Sequence, residues 1–132
     1  MKRIFAIALV AAVAIAGLAV WAASKGKMTF DQTTYDFGTI QEAKGPVSHV
    51  FRFTNTGDAN LVIIDATAQC GCTRPEYSEK PIAPGKKGEV KVTYNPARRP
   101  GAFDKTVTIR TNGSPSKIRL KIKGNVVPKA AK

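Results

Sequence analysis

Lys117-Ile118-Arg119-Leu120-Lys121-Ile122-Lys123 alternates without a break between basic and apolar side chains. Successive side chains of an extended strand point to opposite faces. The pattern therefore buries Ile118, Leu120 and Ile122 and leaves Lys117, Arg119, Lys121 and Lys123 in water. A helix would scatter the same residues around its circumference. The segment reads as a strand with one face in a core.

Working outward, the same period recurs. Phe103, Val107 and Ile109 share a face over residues 103–111, with Lys105 an exception on that parity. Asn112-Gly113 marks the reversal into the last strand, and Ser114-Pro115 lengthens that loop. Val90, Val92 and Tyr94 alternate inward over residues 89–95. Val47, His49, Phe51 and Phe53 do so over residues 47–55, with Val50 breaking the polar side. Asn55-Thr56-Gly57-Asp58 is a turn, followed by an apolar strand over residues 61–66. Phe30 and Tyr35-Asp36-Phe37-Gly38 read as an opening strand pair. Pro81-Ile82-Ala83-Pro84-Gly85 and Arg99-Pro100-Gly101 are reversals, and no helical period follows Ser24. About seven short strands in roughly 100 residues predict an all-β, antiparallel immunoglobulin-like β-sandwich. The architecture lacks the antibody hallmarks. Trp21 lies in the leader, and two cysteines one residue apart cannot bridge sheets about 10 Å apart.

The chain of 132 residues supplies one domain, expected over residues 25–127, with a disordered tail over 128–132. Residues 1–24 read as a signal peptide: Met1-Lys2-Arg3 is cationic, residues 4–20 are apolar, and small then polar residues follow to Ser24 and Lys25. An uncleaved anchor is the alternative, because a charge-free run of about 20 residues spans a bilayer. The expected location is outside the cytoplasm, periplasmic or extracellular, membrane-anchored if the leader stays. The formal charge is +12, and removal of Lys2 and Arg3 leaves 19 basic against 9 acidic residues. Outside the cytoplasm such a surface points to another envelope protein or an anionic cell-surface component as partner, and not to nucleic acid.

Cys70-Gly71-Cys72 holds the only two cysteines. In a straight strand their Cα atoms would lie about 6.5–7 Å apart, at or beyond the limit for a disulfide, but Gly71 lets the backbone kink. Four readings stand side by side. The pair forms a local disulfide or buried thiol pair that shapes the loop. It binds a soft ion such as Cu or Zn, with His49 as the only histidine available to help. It exchanges thiols, aided by Arg74 and Lys80 lowering a thiol pKa. Or it bonds to a partner. A packed role for His49 competes with ligation or proton relay. The basic stripe of Lys117, Arg119, Lys121 and Lys123 has two readings as well. It protects a sheet edge from aggregation, or it docks an anionic partner, joined by Lys91 and Arg110.

Tyr35-Asp36-Phe37-Gly38, Phe51-Arg52-Phe53-Thr54-Asn55-Thr56-Gly57 and Cys70-Gly71-Cys72-Thr73 together closely resemble the bacterial exported family called "domain of unknown function 1573". Pro84-Gly85-Lys86-Lys87-Gly88, Arg99-Pro100-Gly101 and Lys123-Gly124-Asn125 extend the resemblance to about residues 30–127. It implies a sandwich similar to the major-sperm-protein and pilus-chaperone modules, no assigned enzymatic activity, and protein binding by analogy. Serine elbow, H-E-x-x-H, P-loop and dinucleotide fingerprint are all missing from the sequence. The expected function is a non-enzymatic exported binding or assembly module without a cofactor. The alternative is an envelope metal-handling or thiol-redox protein built on Cys70 and Cys72.

Overall fold

A computed structural model describes residues 24–130, so the leader and residues 131–132 lie outside the described residues. Eight strands follow one another: β1 Met28–Phe30, β2 Thr34–Gln41, β3 Val47–Asn55, β4 Ile63–Ala68, β5 Thr73–Tyr77, β6 Lys87–Tyr94, β7 Gly101–Thr111 and β8 Lys117–Val127. A single 3-10 turn, Glu42–Lys44, interrupts them. Two four-stranded sheets result, ordered β1-β3-β6-β5 and β2-β8-β7-β4. All strand pairs are antiparallel except β2 and β8, which run parallel.

Alternation decides which side chains enter the space between the sheets. Phe51 and Phe53 of β3 and Val90, Val92 and Tyr94 of β6 enter from one sheet; Phe103, Val107 and Ile109 of β7 and Leu120 and Ile122 of β8 enter from the other. Tyr94 stacks on Phe103 across the layers with ring centroids 3.9 Å apart. Gly124, level with Phe103 in the β7–β8 register, leaves that ring its room: a Cβ there would stand 2.8 Å from it.

Five connections carry the chain from one sheet to the other, and two of them join edge strand to edge strand. Residues 31–33 cross from edge strand β1 to edge strand β2, and residues 69–72 cross from edge strand β4 to edge strand β5. The opening strand pair expected from Phe30 and Tyr35 is therefore divided between the sheets: β1 pairs with β3, and β2 with β8. Alternation fixes a strand's faces but carries nothing about its neighbour. Strand β5 is not among the strands the sequence predicts, since Arg74, Pro75 and Glu76 carry no alternating apolar face. An edge strand tolerates a proline, and β5 is an edge. The expected tail leaves the sheet at Pro128, but Glu42 accepts the Lys129 amide at 3.1 Å and the Arg98 amide at 2.9 Å. Those two bonds hold the Glu42 carboxyl below its ordinary pKa.

Asn55 closes β3 with no exposed surface. Its Oδ1 accepts the Lys27 and Gly57 amides at 3.1 and 3.0 Å, and its Nδ2 donates to the Ala59 and Ile82 carbonyls at 2.8 Å each. Gly57 is required beside it, because a Cβ there would collide with the Lys25 carbonyl and the Lys27 amide. Replacing Asn55 with alanine strands donors and acceptors from three chain segments. Asn55→Ala is expected to cost about 2–4 kcal/mol in urea unfolding, against less than about 0.5 kcal/mol for exposed Ser48→Ala. A loss near that of Ser48→Ala would show that the amide is not the anchor.

Candidate functional site

The chemistry expected at Cys70 and Cys72 starts from where β4 ends. Ala68 closes β4, and Gln69 then grips the neighbouring strand β7 twice. Its amide donates to the Thr106 carbonyl at 3.3 Å, and its Oε1 accepts the Thr106 amide at 2.9 Å. The chain turns at Gly71, and the Thr73 amide donates back to the Cys70 carbonyl at 3.3 Å. The turn brings the two Cα atoms to 5.2 Å, well inside bonding range, and Cys70 and Cys72 form a disulfide. On leaving the turn, the Cys72 carbonyl accepts the Asn95 amide at 2.8 Å. The loop is thus held to both sheets by backbone bonds on either side of the sulfurs.

The two sulfurs sit unequally. Cys72 is buried at 6 % exposure, Cys70 is half-buried and Gly71 is exposed. The Thr73 hydroxyl lies 3.4 Å from Cys72 Sγ and 3.9 Å from Cys70 Sγ. Sulfurs in a disulfide carry no hydrogen, so the hydroxyl donates. The basic residues expected to assist lie elsewhere. Arg74 is exposed and paired with Glu76 at 3.6 Å, and Lys80 follows the far end of β5.

His49 does not join the cysteines. It lies on β3, separated from β5 by β6, and its ring stacks on Tyr35 at 3.6 Å while Phe51 meets it edge-on at 4.8 Å. Cys70, Cys72 and His49 therefore form no common ligand set, and the described residues contain no cluster of three or more His, Cys, Asp or Glu side chains suited to a metal. Burial first, and the Arg52 charge second, lower the His49 pKa. A depressed imidazole pKa favours the neutral folded form, so its penalty is absent above the ordinary value of 6.5 and grows as pH falls below it.

The basic stripe lies on the outer face of the second sheet, with Lys117, Arg119, Lys121 and Lys123 all exposed. β8 lies between β2 and β7, but β2 pairs with it only from Lys121 onward. The strand is bonded on both sides at Lys121 and Lys123 and is open on one side at Lys117 and Arg119. Arg110 stands level with Lys117 on β7, whereas Lys91 lies on β6 in the other sheet. The stripe is uneven. Lys123 lies level with Asp36 on β2 and Asp104 on β7, and Lys121 pairs with Asp104 at 3.5 Å. Asp65 takes up Arg110, whose Nε lies 3.2 Å from its carboxylate, and the bond keeps Asp65 below the usual carboxylate range. Lys117 and Arg119 have no carboxylate within ion-pair distance among the described residues, and the Arg119 row continues through Thr108 and Thr67. Nothing in the sequence marked that end as the unneutralised one. Its pairing partners come from strands distant in the chain.

The family described as "Protein of unknown function (DUF1573)" matches residues 28–126. The chain belongs to that family. The match includes the Asn55 turn, both cysteines and the whole basic stripe. No curated protein matches the chain. Among solved structures, a protein of unknown function from Porphyromonas gingivalis W83 superposes with a TM-score of 0.69 at 17% identity, over 83% of this chain and 51% of that one. The PapD-like domain 7 of human CEP192 superposes with a TM-score of 0.60 at 11% identity, over 80% and 89% of the two chains. The secreted serine protease VesC of Vibrio cholerae gives 0.59 at 15% identity, over 79% of this chain and 24% of that one. The chain thus spans about half of the first of these structures and a quarter of the protease. At such identities the likeness is one of fold alone, the immunoglobulin-like β-sandwich.

Two outcomes check the site. A cross-link closing only three residues removes little chain entropy, so Cys70→Ser with Cys72→Ser is expected to lower unfolding stability by only about 1–2 kcal/mol. A loss above about 4 kcal/mol would make the disulfide a principal support of the fold. Stability is also expected to decline from about pH 7 to about pH 5 as His49 takes up its proton, and His49→Gln should flatten that decline. An unchanged slope in the variant would assign the decline to other groups.

Proposed function

We propose that the chain is a non-enzymatic, exported binding or assembly module of the cell envelope. It acts in the periplasmic or extracellular space and docks an anionic envelope component through the outer face of the β2-β8-β7-β4 sheet. The leader-like residues 1–24 support export. The immunoglobulin-like sandwich, a fold used by the neighbours for unrelated tasks, supports a module whose specificity lies in its surfaces.

One observation carries the docking face. Lys117 and Arg119 stand on the outer face of β8 with no carboxylate within ion-pair distance among the described residues. The unpaired guanidinium, level with Thr108 on β7, offers a forked donor set suited to carboxylate or phosphate oxygens. Long-range attraction by the net positive charge brings anionic surfaces to the protein, and this pair would give them a place to settle.

Charge reversal separates a local face from overall charge. Lys117→Glu with Arg119→Glu is expected to weaken low-salt binding to isolated envelopes and to anionic vesicles by at least about tenfold. Lys87→Glu with Lys91→Glu makes the same change in net charge on the opposite sheet and should leave most binding intact. Equal losses from the two pairs would reduce the face to bulk electrostatics and remove the proposal.

A further inference from the structure

The disulfide contributes little as a brace, yet it occupies the crossing between the sheets. Its ring contains three residues, and the backbone bonds of Gln69, Thr73 and Asn95 hold the loop whether or not the sulfurs are joined. Opening it therefore leaves the loop its other attachments. We infer that Cys70–Cys72 is a thiol-exchange site that oxidises an exposed dithiol of another protein, with Cys70 as the sulfur attacked and Cys72 as the sulfur released. The inference is independent of the anionic docking face.

The asymmetry of the pair carries it. Cys70 is half-buried beside exposed Gly71, where no atom beyond the two adjoining residues lies within 4 Å of the position a Cβ would take. A partner thiolate has open space on that side. Cys72 is buried and receives the Thr73 hydroxyl at 3.4 Å, closer than that hydroxyl stands to Cys70. A hydrogen bond donated to sulfur stabilises the thiolate form, and the better-stabilised thiolate leaves faster. Access thus favours attack at Cys70, and the hydroxyl favours departure of Cys72.

The electrons balance as follows. The partner thiolate attacks Cys70 Sγ, a mixed disulfide forms, and the Cys70–Cys72 bond breaks with its electron pair passing to Cys72 Sγ. The partner's second thiol, as thiolate, then attacks the partner's own sulfur in the mixed disulfide and releases Cys70. The two protons of the partner dithiol end on Cys70 and Cys72. The partner gains a disulfide, and two electrons pass to this chain. The loop lacks the C-x-x-C step at a helix start, so the thiolate is stabilised by the Thr73 hydroxyl and not by a helix N-terminus.

The test uses the full chain, folded, with its disulfide intact. Dithiothreitol should open the bond while circular dichroism still reports the sandwich. A bond that opens only when the fold is lost would overturn the inference. In the single variants, the Cys70 thiol of Cys72→Ser should capture glutathione disulfide at least about tenfold faster than the Cys72 thiol of Cys70→Ser, the two rates converging in urea. Equal rates in folded variants would overturn the assignment. Should either variant fail to fold, the wild-type chain treated with reduced glutathione and quenched gives the same answer by fragment mass. An adduct on Cys70 supports the inference, and one on Cys72 or shared evenly overturns it.

Discussion

The burial of one neutral amide organises this sandwich. Asn55 sits at the end of β3 with no exposed surface, and each of its four side-chain hydrogen-bonding positions is filled by the backbone of a different residue. An unsatisfied amide there would oppose folding, so the segment before β1, the turn after β3 and the connection after β5 must all converge on it. Its own backbone adds two ties, to the Lys86 carbonyl at 2.9 Å and from the Gly85 amide at 2.8 Å. Leu61 and Ile82 then bridge β4's approach to β6's approach, with reciprocal bonds of 2.9 and 2.8 Å. Those ties set where β4 begins, and hence where the crossing into β5 falls.

The two candidate surfaces belong to different parts of that frame. The crossing at residues 69–72 joins two edge strands, carries a disulfide within the loop, is held by backbone bonds and is open at Gly71. The outer face of β8 is a row of charges whose spacing is fixed by pairing with β7 from Lys117 to Val126 and with β2 from Lys121 onward. A paired strand holds its side chains in place better than a loop does, which favours recognition of an extended anionic surface. Charge along the row is graded, near balance at Lys123 between Asp36 and Asp104 and unbalanced at Lys117 and Arg119.

Much of the fold was legible in alternation alone. Phe51, Phe53, Val90, Val92, Tyr94, Val107, Ile109, Leu120 and Ile122 are all buried as their parity required. Pairing was less legible. Phe30 and Tyr35 proved to lie in different sheets, β2 runs parallel to β8, and β5 hid behind Pro75. These are long-range facts, and a period of two carries none of them. Of the site, the proximity of Cys70 and Cys72 was legible because they are neighbours in sequence with glycine between. The inequality of their burial was not, since it depends on which sheet each end of the loop joins. The separation of His49 from the cysteines and the neighbours of β8 were hidden for the same reason.

The most direct measurement of the docking face is a lysine-acetylation footprint of the full chain, free and bound to isolated cell envelopes, read residue by residue. Selective protection of Lys117 and Lys121 on β8, with Lys87 and Lys91 on the opposite sheet modified as in the free protein, is the result this account predicts. Uniform protection across both sheets, or protection confined to Lys87 and Lys91, would contradict it.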